Sequence, residues 1–194
     1  MKIKRQKQIR TFLMEEFGEA RGGALFETQD QILRELISCI KNKSESQKKT
    51  LIQTILPSIA LYKGLFQEGF PEEEVTRYVQ KYMFEKVGAG MHASMSRMEK
   101  IPGFYSLYSS IFRKVMRGSD SHESTQSHTR DSFDVTITRC LWHTACAENG
   151  CEKMCRIFCD ADNVTYGGLR KLGFSRTQTL GYGDNCCDFH FFRK

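Results

Sequence analysis

Cysteine is almost missing from the first two-thirds of this chain: residues 1–139 hold only Cys39, and seven of the eight cysteines lie from Cys140 to Cys187. Thiol chemistry, nucleophilic or metal-binding, is thereby confined to the last third. Prolines number three, Pro57, Pro71 and Pro102, so little stands in the way of long helices. No apolar run approaches the roughly 18 residues that a membrane span needs, and none follows the basic start Met1-Lys2-Ile3-Lys4-Arg5-Gln6-Lys7 as a secretory leader would require. Zinc-finger spacings, aromatic RNP-type strands and glycine-rich basic tails are lacking, and no internal repeat is visible. These absences predict one cytoplasmic unit with reduced thiols, not an extracellular disulfide framework.

What is present first is charge. The net charge of +6 invites a nucleic-acid reading, but residues 1–49 supply +4 of it, with eleven Lys/Arg against seven Asp/Glu. These charges alternate at helical spacing with Ile9, Phe12, Leu13 and Phe17, the pattern of a solvated helix face over a core. Neither nucleic acid nor membrane is expected as a partner.

Residues 1–117 read as helical. Thr28-Gln29-Asp30-Gln31 predicts a capping box opening a helix with Ile32, Leu33, Leu36, Ile37 and Ile40 inward. A longer helix is predicted from Ser46 to Glu68, kinked or broken at Pro57. Gly69 and Pro71 predict a stop and restart, with Glu72, Glu73 and Glu74 suited to the positive end of the next helix dipole. After Pro102-Gly103, the residues Phe104, Leu107, Tyr108, Ile111, Phe112 and Val115 give another amphipathic helix.

Residues 118–132 are polar throughout and predict a loop; His122 and His128 lie within it, a weak metal pair at best. The period then changes to 2: Phe133, Val135 and Ile137 alternate with Asp134, Thr136 and Thr138, a half-buried strand running into Cys140. Two short helices, a return strand from Gly173 through Thr179, a tight turn at Gly181-Tyr182-Gly183-Asp184 and a last strand over 187–193 complete the segment. The fold class expected is α+β, an N-terminal helical region packed on a small antiparallel sheet from the C-terminal third.

Cys151, Cys155 and Cys159, four apart, form a helical stripe, each displaced about 40° from the last. The spacing matches neither structural zinc nor iron–sulfur runs, and buried cysteine is a small hydrophobe. Asp160 and Asp162 follow Cys159; an Asp there can address a ligand or cap a helix.

The whole pattern, Phe133-Asp-Val-Thr-Ile-Thr-Arg-Cys140, Phe158-Cys159-Asp160-Ala161-Asp162 and the ending Gly183-Asp-Asn-Cys-Cys187-Asp188-Phe189-His-Phe191, resembles the L-2-amino-thiazoline-4-carboxylic acid hydrolase family. Pro57-Ser-Ile-Ala-Leu-Tyr62 is similar to a second landmark of that family. The ending also looks like vinyl-reductase-type small-molecule-binding domains. The resemblance implies a cytoplasmic hydrolase that opens a 2-amino-thiazoline ring to N-carbamoyl-cysteine; the alternative is a small-molecule or metal-binding sensor without turnover.

On the matched residues, Cys159 would attack while Asp162 holds the ring amidinium, with Cys140 beside them. Arg176, Cys187 and Asp188 would bind substrate, Arg176 through its carboxylate. His143, three residues after Cys140, is proposed as base from proximity alone. Alternation places Cys187, Phe189 and Phe191 on one strand face and Cys186, Asp188 and His190 on the other, so one of Cys187 and Asp188 is structural. No cofactor is expected, a metal stays open, and the partner is a small-molecule substrate, with a homo-oligomer possible.

Overall fold

A glycine in the left-handed region divides the first helix. The computed structural model describes residues 3–194, and within α1 (Lys4–Ser38) Gly18 stands at φ 77° and ψ 167°. Such a backbone is open to glycine at no steric cost. The two halves lie side by side: Gln6 Nε2 donates to Gln29 Oε1 and to Asp30 Oδ1, both at 2.9 Å. Thr28 therefore falls mid-helix and donates to Glu68 instead of capping. The expected capping box is found elsewhere, at Ser44, whose hydroxyl accepts from Gln47 N–H while the Gln47 side chain accepts from Ser44 N–H.

The predicted helix over 46–68 is realised as α2 (Glu45–Thr50), a π-helical segment Leu51–Ile55 and α3 (Leu56–Gln67). The wide segment ends just before Pro57, where the proline ring would otherwise crowd a carbonyl four residues back. Gly69 (φ 82°) and Pro71 mark the stop and restart. α4 (Glu72–Lys81) then runs through a second π-helical segment, Tyr82–Gly88, into α5 (Ala89–Met98).

α6 (Phe104–Gly118) starts after Gly103, but its six-residue stripe does not all face inward. Phe104 and Tyr105 are buried, and Tyr108 and Phe112 pack on the sheet, whereas Leu107, Ile111 and Val115 are exposed. One face of an isolated helix over a flat sheet is too narrow to hide both rows.

The polar segment 118–132, expected as a loop, contains β1 (His122–His128), so strands are not confined to residues beyond 131. It pairs antiparallel with β2 (Ser132–Cys140). α7 (Leu141–Glu148) and α8 (Glu152–Tyr166) follow, then β3 (Leu172–Ser175), a 3-10 turn Leu180–Tyr182 and β4 (Cys187–Arg193). The sheet order is β1-β2-β4-β3, antiparallel throughout. β4 pairs with 172–175; the loop after it replaces both the return strand through Thr179 and the tight hairpin turn expected at 181–184.

On the inner face Phe133 lies opposite Phe191, Val135 opposite Phe189 and Ile137 opposite Cys187. The Phe133 and Phe191 rings stack at 4.8 Å, and Tyr166 of α8 meets Phe191 edge-on at 5.1 Å. Two apolar clusters result, one among the helices and one between sheet and α6. Phe191→Ala should cost about 3–5 kcal/mol, read as a lower urea midpoint at unchanged slope.

Candidate functional site

Where the two apolar clusters meet, the structure holds a cavity of about 330 Å³. Its walls are the inner sheet face (Ile137, Cys140, Cys187, Phe189), α8 (Phe158, Cys159, Ala161, Asp162, Thr165, Tyr166), the two π-helical segments with the start of α5 (Thr54, Met83, Val87, Met91) and α6 (Phe112, Met116). Arg5, His122, Trp142 and Arg176 complete it.

Cys140 enters the cavity through a bulge. Ser124 pairs with Ile137 and Glu123 with Arg139, leaving Thr138 without a partner. Strict alternation from Ile137 would turn Arg139 inward and Cys140 outward; the extra residue reverses that. Arg139 is consequently exposed and bonded to Glu123, and Cys140 with its register partner His122 lines the cavity.

Cys159, Asp162 and Tyr166 share a face of α8 because three- and four-residue steps return to one side of a helix. The loop after β3 closes on them. Thr179 Oγ1 donates to Cys159 Sγ at 3.0 Å, and Leu180 N–H to Cys187 Sγ at 3.4 Å. Gly181 is required there: a Cβ would lie 2.8 Å from Cys159 Sγ and 3.2 Å from the Cys155 carbonyl. Arg176, with only 8% of its side chain exposed, reaches Asp160 at 3.3 Å and Asp162 at 3.4 Å. Tyr182 adds a hydroxyl to Asp160 at 2.8 Å.

The structure thus brings Cys140, Cys159, Asp162, Arg176 and Cys187 onto one cavity. His143 and Asp188 are not among its lining residues. Asp188 accepts from the Thr177 N–H and hydroxyl and from Gln178 N–H, holding the loop, and these bonds keep its carboxyl below the usual range although burial opposes them. Cys187 thus lines the cavity, while Asp188 bonds to the loop. Cys186 sits by Gln178. Cys151 and Cys155 are buried in the helical core with Cys146, so the stripe of three divides and only Cys159 reaches the cavity. His122 and His128 stand at opposite ends of β1. Among the described residues no group of three His, Cys, Asp or Glu is placed to hold a metal, and no helix is long and apolar enough to cross a membrane.

Burial and thiol–thiol contacts set the electrostatics. Burial raises Asp162 to about 7, against the pull of Arg176; 34% of the side chain is nonetheless accessible, because it faces the cavity. Burial raises Cys140 to about 12, opposed by backbone N–H groups of His143 and Trp142. The Cys155 thiol, followed by burial, takes Cys159 to about 11 despite bonds from Cys187 and Thr179. Cys187 is likewise raised, by Cys159 and burial. Burial lowers His122, whose Nδ1 has no hydrogen-bond partner among the described residues, and its ring stacks on Trp142 at 5.3 Å. His122, expected only as half of a weak metal pair, joins Trp142 and Arg5 as a wall the sequence does not announce: a polar loop, a short helix and a charged face carry no signal of a shared cavity.

A family model described as L-2-amino-thiazoline-4-carboxylic acid hydrolase matches residues 48–191. The chain belongs to this hydrolase family. The match spans every wall of the cavity except Arg5. No curated protein matches the sequence. Among solved structures, an H-NOX protein from S. oneidensis, a mutant in the Fe(II) ligation state, is 12% identical over 100% of this chain and 96% of its own, with TM-score 0.38. The same protein in the Fe(II)NO state is 13% identical over 96% and 98%, with TM-score 0.35.

With the cavity thiols raised, alkylation by iodoacetamide at neutral pH should reach exposed Cys39 first. Cys159 should lag about a hundredfold or more, since each unit of pKa removes about tenfold of the thiolate; peptide mass spectrometry over time measures this.

Proposed function

We propose that the cavity hydrolyses a cyclic amidine of the 2-amino-thiazoline type, with Asp162 as acid and base. The observation that carries this reading is a carboxyl raised to about 7 in a cavity shared with Arg176 and three thiols. A general acid–base group works best with its pKa near the working pH. The family's name supplies the substrate type.

Ionised Asp162 takes a proton from a water whose oxygen bonds to the ring carbon between nitrogen and sulfur. The C=N electron pair moves to the ring nitrogen, which receives that proton. Asp162 next removes the hydroxyl proton of the adduct as the carbonyl forms and the C–S bond breaks, and delivers it to the departing sulfur. One water is consumed, an N-carbamoyl-cysteine is formed, and Asp162 returns to its starting state. Arg176 steadies the ionised carboxylate, and Cys140, Cys159 and Cys187 give the ring sulfur a polarisable wall.

Attack by Cys159 itself is the weaker route. Its bonding neighbours are Cys155, Cys187 and Thr179, and a thiol held at about 11 is a poor nucleophile. His143, assigned the base role from proximity, is not a cavity-lining residue.

Turnover of L-2-amino-thiazoline-4-carboxylate should rise with pH through about 7, because the working form is the carboxylate above its raised pKa. Asp162→Asn should lose about a hundredfold to ten-thousandfold in kcat, and Cys159→Ser should stay within about tenfold. A thiolate route reverses the picture: Cys159→Ser is then inactive and the rate climbs toward pH 11. Melting temperatures of both variants separate loss of chemistry from loss of fold.

A further inference from the structure

The proposed reaction leaves two features of the cavity unused. One is its apolar wall of Met83, Val87, Met91 and Phe112, which a bare five-membered ring bearing an amine and a carboxylate would not cover. The other is Arg5. At about 330 Å³ the space lies at the small end of pockets that enclose drug-sized ligands, roughly 300–1,000 Å³.

The two cavity arginines are not equivalent. Arg176 already faces two carboxylates, Asp160 and Asp162, so a third anion there would meet a site whose positive charge is spent. The Tyr82 hydroxyl near Arg5 donates to Gln8 Oε1 at 3.2 Å, and the Arg5 charge opposes the rise that burial imposes on that hydroxyl. Among the described residues no carboxylate forms an ion pair with Arg5. A guanidinium carries five N–H donors suited to a planar carboxylate, and those of Arg5 are only partly used. Arg5 and Thr54 also border a basic groove of about 580 Å³ shared with Lys4, Lys7 and Lys86. The cavity therefore meets a positively charged surface on the Arg5 side, while its negative groups belong to α8.

We propose that the cavity takes an amphipathic monocarboxylate, its apolar body against the methionine and phenylalanine wall and its carboxylate on Arg5. The inference rests on the hydrolase reading only in using the same cavity. In its terms, Arg5, not Arg176, is the anchor for the substrate carboxylate.

Trp142, the single tryptophan, lines the cavity and reports on its filling. Titrating its fluorescence at pH 8 with decanoate and with decanol compares the same apolar body with and without the charge. Decanoate should bind at least about tenfold tighter, as expected for one charge-assisted bond. Arg5→Gln should abolish that preference, and Arg5→Lys should keep part of it. Equal binding of the two ligands by the wild type, or a preference that survives in Arg5→Gln, overturns the inference; the wild-type comparison decides even if the variant fails to fold. Thiazoline turnover assayed on the same preparations keeps the two readings apart. An Arg5-dependent preference without turnover sinks only the hydrolase reading, and turnover without the preference sinks only this one.

Discussion

Helix α8 has to satisfy two cores at once, and the rest of the structure follows from that. Its Met154, Cys155, Ile157, Phe158 and Ala161 belong to the cluster formed by the N-terminal helices, while Tyr166 belongs to the cluster under the sheet. A helix has room for two such faces only if neither partner closes fully around it. The space left where the clusters fail to merge is the cavity, and Asp162, between the two sets, projects where neither core supplies packing atoms. A carboxylate can be tolerated there because Arg176 stands beside it and part of it stays accessible.

The π-helical segments are the second device that keeps this space open. A π turn is a wider, less favourable ring than an α turn and is found mostly as single insertions at functional sites. Here Thr54 lies in one and Met83 and Val87 in the other, and all three are cavity walls. Tyr82, at the start of the second, is fully buried against Phe12 at 5.4 Å while its hydroxyl donates to Gln8. The same local widening therefore shapes the wall beside the cation at its edge.

Where hydrophobic period reports burial, the sequence was readable. Phe133, Val135 and Ile137 announced β2, and Cys159 with Asp162 announced one face of a helix, because in both cases the spacing is the geometry. β1 could not be read the same way: its inward positions include His122, Ser124 and Gln126, so its alternation is polar against polar. Neither could the bulge at Thr138, which is a property of pairing between two strands, yet it decides that Cys140 and not Arg139 faces inward. The capping pattern at Thr28 misled for a related reason. A cap residue matters only where a helix begins, and the Gly18 break had already started that helix ten residues earlier. Arg5 lay hidden among basic residues that do form a solvated face; only the folded-back α1 and the second π segment make it different from its neighbours.

The contrast between the thiols and the carboxyl shows how one environment sorts candidate roles. Burial disfavours the charged form of every acid in the cavity, so all their pKa values move upward. For thiols that start near 9, the rise to about 11 for Cys159 and about 12 for Cys140 takes them out of the range where a thiolate is available at neutral pH. For Asp162, which starts near 3.8, a rise of similar sign ends at about 7, where both protonation states are populated. A cavity lined by three cysteines and one aspartate thus selects the aspartate for proton transfer, because burial tunes it while thiol–thiol contacts and burial together detune its neighbours. Restoring a reactive thiol would need a nearby cation or base to offset burial. The nearest cation on this side, Arg176, is already committed to Asp160 and Asp162.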